Sequence, residues 1–232
     1  MLDVDVKYYK ITYEQQNRIA YVPIQLGATI DQRTAQGEAV AIFNKISPYI
    51  EADTNKSKLK QEVKFAFLDL NNQTKEVNSQ AQANLTYVYL YRNDINNIPF
   101  IGTDLSNPNI KFTYTTENSS TTGRGSGRPK LLSASITYFP IAENSTTAQI
   151  AYPIKTITDA YQDVVNGKAF VLSPINTQLQ YQISRAYLAY LEPKEFAPYA
   201  IPVWVFEGDS LENTKLVFRA ITPAVARGYI EE

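Results

Sequence analysis

Three groups of residues carry side chains with chemical potential. The first is Gly123-Arg124-Gly125-Ser126-Gly127-Arg128. Its glycines suggest a phosphate-cradling loop, but the Gly-Lys-Ser/Thr ending is missing and no helical pattern follows. A linker explains it better, with Arg124 and Arg128 available to an anionic partner. The second group is Glu192, Glu195, Glu207 and Asp209, around the apolar run Ile201 to Phe206. A carboxylate-based glycoside hydrolase needs two such acids at a set separation. Here they read as solvated charges in connections, and no EF-hand spacing supports calcium. The third group is aromatic: Tyr187, Tyr190, Tyr199 and Trp204, with Tyr87, Tyr89 and Tyr91 in the first half. Such rings suit a platform for peptide or sugar, and packing within sheets explains them as well. Trp204, between Val203 and Val205, is most simply a core residue.

Composition removes whole classes of chemistry. The chain of 232 residues has no His and no Cys. A thiol nucleophile and any Ser–His or Cys–His pair are thereby excluded. Zinc draws mainly on those two residues, so no metal or cofactor is expected. The formal net charge is −1, which leaves no surplus of cations for nucleic-acid phosphates. Hydrophobic residues make up 44% and charged residues 19%, enough for a packed core. Tyr is the unusual count, at 17 against one Trp. With plentiful Asn, Gln, Ser and Thr, it points to an exported or cell-surface protein rich in sheet. No run approaches a membrane span. The abrupt strand-like start, Met1 to Val6, suits a chain from which a signal or anchor has been removed, and an intact cytosolic protein would begin the same way. Asn-x-Ser/Thr triplets at Asn55, Asn72, Asn84, Asn118 and Asn144 matter only in a secreted eukaryotic setting.

The elements that must hold these groups follow from periodicity. Ala35, Ala39, Ile42, Phe43, Ile46 and Tyr49 predict a helix over Arg33–Ile50, capped by Asp31 or Thr34 and disturbed by Pro48. A second helix is predicted over Ile157–Val165, with Ile157, Ala160, Tyr161 and Val164 inward. Thr156 or Thr158 caps it and Asn166-Gly167 stops it. Period-two runs predict strands over Val63–Leu70, Asn84–Tyr91, Ile98–Gly102, Ile110–Thr116, Leu131–Ile141, Gln149–Pro153, Ala169–Leu172, Gln178–Leu191, Ile201–Phe206 and Lys215–Ile221. The polar, Gly- and Ser-rich stretch 117–130 splits the chain.

The halves share an order of elements. Each has a Tyr-rich strand, a polar connection, then Ile-Pro and a short apolar run ending in Gly and Asp: Ile98 to Asp104, and Ile201 to Asp209. Gly102 and Gly208 are read as turn residues with positive φ. The expected fold class is α+β: two tandem repeats, 1–116 and 131–232, each an antiparallel sheet packed by one helix, joined by the linker 117–130.

The second half carries a further pattern: Ala151-Tyr152-Pro153, a short helix, Ala186-Tyr187-Leu188-Ala189-Tyr190, then Ile201-Pro202-Val203-Trp204. It resembles the extracytoplasmic domains of the YycH/YycI type and, more loosely, PepSY-like modules. The resemblance implies a bacterial, membrane-tethered regulator without catalysis, acting by contact on a protein or peptide, often a membrane sensor kinase. No catalytic or ligand residue carries over from it. The expected function is thus a non-enzymatic sensing or protein-binding domain at the cell surface. Its binding residues are Tyr187, Tyr190, Trp204, Arg124 and Arg128. A surface structural or assembly protein is the alternative, and a carboxylate glycosidase a third.

Overall fold

The computed structural model describes residues 2–5, 10–14, 30–50, 59–69, 73–104, 108–116, 129–139, 152–173, 179–192, 195, 197, 200–212 and 217–226. In chain order these form β1 (Leu2–Asp5), β2 (Lys10–Glu14), α1 (Gln32–Ile46), β3 (Lys60–Leu68), β4 (Thr74–Val77), β5 (Leu85–Tyr91), β6 (Phe100–Gly102) and β7 (Ile110–Thr116). There follow β8 (Pro129–Thr137), α2 (Ile157–Val165), β9 (Phe170–Val171), β10 (Tyr181–Glu192), β11 (Ile201–Ser210) and β12 (Val217–Pro223). Strand takes 54% of the described residues, in sheets of seven and five strands beside two helices. The fold is therefore mostly β, which corrects the expected α+β class.

Two compact units emerge: Met1–Arg92 with Pro108–Pro140, and Asn93–Asn107 with Ile141–Glu232. This division differs from the expected 1–116, 117–130 and 131–232. The strand β8, which includes Pro129 and Lys130 from the expected linker, pairs with β7 and β2 in the first sheet. The residues of the linker before Pro129, with Arg124 and Arg128, lie outside the described residues.

The first sheet runs β1-β2-β8-β7-β5-β3-β4, antiparallel throughout. Alternation along β5 sends Thr86, Val88 and Leu90 to one side and Tyr87, Tyr89 and Tyr91 to the other. The aliphatic side joins Ile110, Phe112 and Tyr114 of β7 and Ile136 of β8 in a core closed by Ala35, Ala39 and Phe43 of α1. Those three recur every four residues, so one stripe of the helix meets the sheet. The Asp31 side chain accepts from the Thr34 amide at 3.0 Å, as a cap should. After Ile46 the backbone tightens into a 3-10 turn, Ser47–Ile50. Pro48 has no N–H to continue an α-helix. The register of β7 and β8 shifts between Thr113 and Tyr114, leaving Leu132 as the extra residue. Leu131 thereby packs with the helix-side core, and Leu132 joins Ala66, Leu68 and Leu85 in a small second cluster.

The second sheet runs β6-β10-β11-β12-β9. Here β6 lies parallel to β10, and the other neighbours are antiparallel. Thr156 caps α2 by accepting from the Asp159 amide at 3.1 Å, and Gly167 follows the helix with φ of +69°. The helix spans the residues that periodicity predicts, but its inward face is different. Ala160 and Asp163 are buried, whereas Ile157 and Tyr161 are exposed.

The repeat account fails on topology. In the second unit the Tyr-rich strand β10, the Ile-Pro strand β11 and β12 form a consecutive meander. In the first unit β5 pairs directly with β7, and the intervening Ile-Pro segment leaves as β6 for the other sheet. A tight turn redirects it: Ile95 and Ile98 bond one another, with Asn96 at φ 52° and Asn97 at φ 64°. Positive φ at both turn positions is the geometry that joins twisted antiparallel strands.

Gly208 is not a turn residue. It sits inside β11 opposite Ile183, where the β10 register shifts around Ser184. A Cβ there would overlap the Gln182 carbonyl oxygen and lie 2.9 Å from Ile183 Cα. Backbone proximity at the bulge, not positive φ, requires glycine. Gly37, in contrast, is exposed in mid-helix with open space around its Cα. We expect Gly208→Ala to lower stability by about 1–3 kcal/mol. Gly37→Ala should raise it by about 1 kcal/mol. Urea unfolding midpoints of the two variants should move in opposite directions, and equal shifts would refute the bulge argument.

Candidate binding surface on the second sheet

The register of the second unit decides which side chains meet. Arg185 of β10 stands opposite Glu207 of β11, which stands opposite Arg219 of β12. Three charges therefore line up across three strands on one face. Tyr187, two residues along β10, shares that face. Its hydroxyl donates to Glu207 Oε1 at 2.9 Å, and Arg219 Nη2 reaches the same oxygen at 2.5 Å. Arg185 Nη1 is 3.8 Å from Glu207 Oε2, and its guanidinium carbon is 4.5 Å from the Tyr187 ring centroid. Two cations thus share one carboxylate. Arg219 is engaged, with its backbone N–H donating to Ser173 Oγ at 2.9 Å. Arg185 stacks on the tyrosine and keeps 67% of its side chain in solvent.

Beyond Tyr187 this face turns apolar. Ala189, Val203, Val205, Ile221 and Ile101 form the core cluster of the unit, with Tyr187 packed at its margin. Burial, then the hydrogen bond to Glu207 and the charge of that residue, push the Tyr187 phenol up to about 12; Arg219 and Arg185 pull the other way.

The expected aromatic platform divides between two faces. Tyr187 and Tyr190 are three residues apart on a regular stretch of β10, so they point in opposite directions. Trp204 stands opposite Leu188, on the face shared with Tyr190. There Tyr190 packs against Phe100 at 5.4 Å between ring centroids, and Phe206 packs against Tyr161 of α2 at 6.2 Å. Trp204 Nε1 donates to the Lys155 carbonyl at 3.0 Å. Lys155 in turn pairs with Asp163 at 3.0 Å, both side chains nearly buried, and Thr222 Oγ1 lies 3.4 Å from the same carboxylate oxygen. Trp204 and this ion pair secure the start of α2 to the sheet.

The aromatic row of the first unit is coherent, with its middle ring buried. Tyr87 and Tyr89 stack in parallel at 6.2 Å on the face away from α1. Lys111 Nζ lies 4.4 Å from the Tyr87 centroid and Lys64 Nζ 5.7 Å from that of Tyr89. Tyr91 donates to Glu62 at 2.8 Å. Tyr89 keeps only 3% of its surface, and Tyr87 and Tyr91 are half-buried, so packing accounts for the centre of this row. Burial raises both the Tyr87 and Tyr89 phenols above their ordinary range, with Glu76 adding to the effect.

Glu207 and Asp209 lie within β11, not in a connection as expected, and Glu207 is committed to Arg219 and Tyr187. Glu192 ends β10, and Glu195 is exposed beyond it. Among the described residues, no group of three or more acidic side chains is gathered as a metal cluster would need. Asn84 is buried and bonds both backbone groups of Leu68, at 2.8 and 2.9 Å, so its side chain is occupied. Asn55, Asn72, Asn118, Asn144 and Tyr199 lie outside the described residues. The sequence reading missed Arg185 and Arg219. Only the strand register marks them, by placing Glu207 between them.

Comparison with known proteins adds no constraint: no family model matches the chain, and neither a curated protein nor a solved structure matches it.

Two outcomes follow from this geometry. The Tyr187 phenol is raised in the folded state, so its contribution is complete below about pH 10 and is lost as pH rises through about 12. Tyr187→Phe should flatten the alkaline fall in stability over that window, measured by urea unfolding at stepped pH; an unchanged fall would refute the assignment. Asp163→Ala leaves Lys155 buried without its counter-charge and should cost about 3 kcal/mol or more, whereas Lys155→Met with Asp163→Leu should recover most of that loss. Thermal unfolding of the single and double variants separates the cases.

Proposed function

We infer that this protein is a non-enzymatic sensing or regulatory module that binds a protein partner outside the cytoplasm, in the manner of membrane-tethered YycH/YycI-type domains. The observation that carries this reading is the Arg185–Tyr187–Glu207–Arg219 row. It holds one cation in solvent, stacked on the Tyr187 ring and 3.8 Å from a carboxylate that a second cation engages. Such an arrangement suits recognition, because a guanidinium stacked on an aromatic face keeps its planar fork of donors open to a carboxylate. It does not suit acid–base catalysis, since the acid of the row is already engaged by Arg219 and Tyr187. The absence of His and Cys from the sequence supports the same reading by removing the usual nucleophile–base pairs. The Tyr-, Asn- and Thr-rich composition and the motif resemblance of the second half support a surface location and a membrane sensor kinase as partner.

The test is titration calorimetry of the purified chain against the extracytoplasmic domain of the sensor kinase encoded nearest its gene. Binding that weakens about tenfold on Arg185→Glu is the expected result. Kinase domains that do not bind, or binding indifferent to Arg185→Glu, would remove the reading.

A further inference from the structure

The strand β10 runs from Tyr181 to Glu192, yet its two neighbours cover it unequally. On one side β11 pairs with it from Tyr181 to Leu191. On the other, β6 pairs only with Tyr190, Leu191 and Glu192. The direction of the uncovered groups can be fixed. The Tyr190 amide donates to the Pro99 carbonyl, on the β6 side, at 2.8 Å. Backbone polarity alternates with period two, and the register is regular from Arg185 to Leu191. The N–H and C=O of Leu188 and Ala186 therefore point to the same side as those of Tyr190, beyond the end of β6. Among the described strands, none pairs with them there.

Among the described residues this stretch has no strand partner on that side, and its limits are defined. The bulge at Ser184 breaks the edge at one end, and β6 closes it at the other. Side chains beside it differ by face. Arg185 and Tyr187 flank one side, with the guanidinium in solvent; half-buried Ala186 and Leu188 flank the other. A strand added here would see a cation on one face and an apolar surface on the opposite face.

We propose that the edge Arg185–Ala189 takes an extended segment of a partner protein as an added strand, with acidic side chains toward Arg185 and apolar ones toward Leu188. The inference rests on the protein-binding reading above and names the class of segment bound. Backbone hydrogen bonds from Ala186 and Leu188 give affinity, and the alternation of side chains gives selectivity. Two cations facing one carboxylate favour an acidic segment. The same Arg185 works against pairing with a second copy of this chain, since that would bring two cationic edges together.

The experiment uses the full chain, isotope-labelled, with two end-blocked short peptides: one alternating Val and Glu, the other Val and Lys. Amide shifts at Ala186 and Leu188 are expected with the Glu peptide, and about tenfold weaker binding with the Lys peptide. Arg185→Glu should invert that preference. Ala186→Pro should abolish binding, because it removes an outward donor while leaving the β11 ladder bonded. If the proline variant does not fold, the Arg185→Glu inversion alone decides. Shifts elsewhere on the sheet, equal binding of both peptides, no binding of either, or self-association through this edge in sedimentation would each overturn the proposal. Peptide failure with the kinase-domain interaction intact removes the added strand and leaves the protein-binding reading standing; failure of both removes both.

Discussion

The register between β10 and β11 is the constraint on which the second unit depends. Side chains alternate along a strand, so a slip of one residue would send every group on β10 to the other face. Arg185 would then lose Glu207, Tyr187 would leave the margin of the apolar cluster, and Ala189 would be withdrawn from beneath Val203 and Val205. What pins the register is local. Ser184 bulges out of β10, and only a glycine at 208 lets the two backbones approach there. The charged row and the apolar cluster begin immediately after that point.

The units use tyrosine in different ways. In the first, Tyr87 and Tyr89 stack beneath Lys64 and Lys111, so aliphatic stems and cationic heads cover the rings. In the second, Tyr187 supports a cation that remains in solvent, because Glu207 and Arg219 hold the phenol from behind. The same residue type thus closes one face and presents a charge on another. The difference lies in the neighbours that cross-strand pairing supplies.

The two Ile-Pro segments show how far local similarity reaches. Both begin extended, as residues before proline must, and both become strands. Among the described strands, one is the edge strand β6 and the other the central β11. Their fates were settled by what precedes them. The Asn96-Asn97 turn redirects the first segment to β10, whereas the second folds back antiparallel onto β10, the strand just before it. A sequence motif of this kind specifies extension and twist but not partner, which is why matched order did not produce matched topology.

The sequence by itself determined the local elements. The alanine stripe and Asp31 define α1, Thr156 and Gly167 bound α2, and the alternation of β5, β7, β10 and β12 marks them as strands. These are legible because capping, periodicity and turn chemistry act over a few neighbouring residues. Likewise legible was the want of His and Cys. Strand partners were decided only by the tertiary structure, and with them everything that depends on pairing: the mostly β class, the transfer of β6 and β8 between the expected halves, the separation of Tyr187 from Tyr190 and Trp204, and the meeting of Arg185, Glu207 and Arg219. Those contacts join residues far apart in the chain through register, and the approach of the Ser184 bulge to Gly208 that pins it exists only once β10 and β11 have paired, which no local pattern contains.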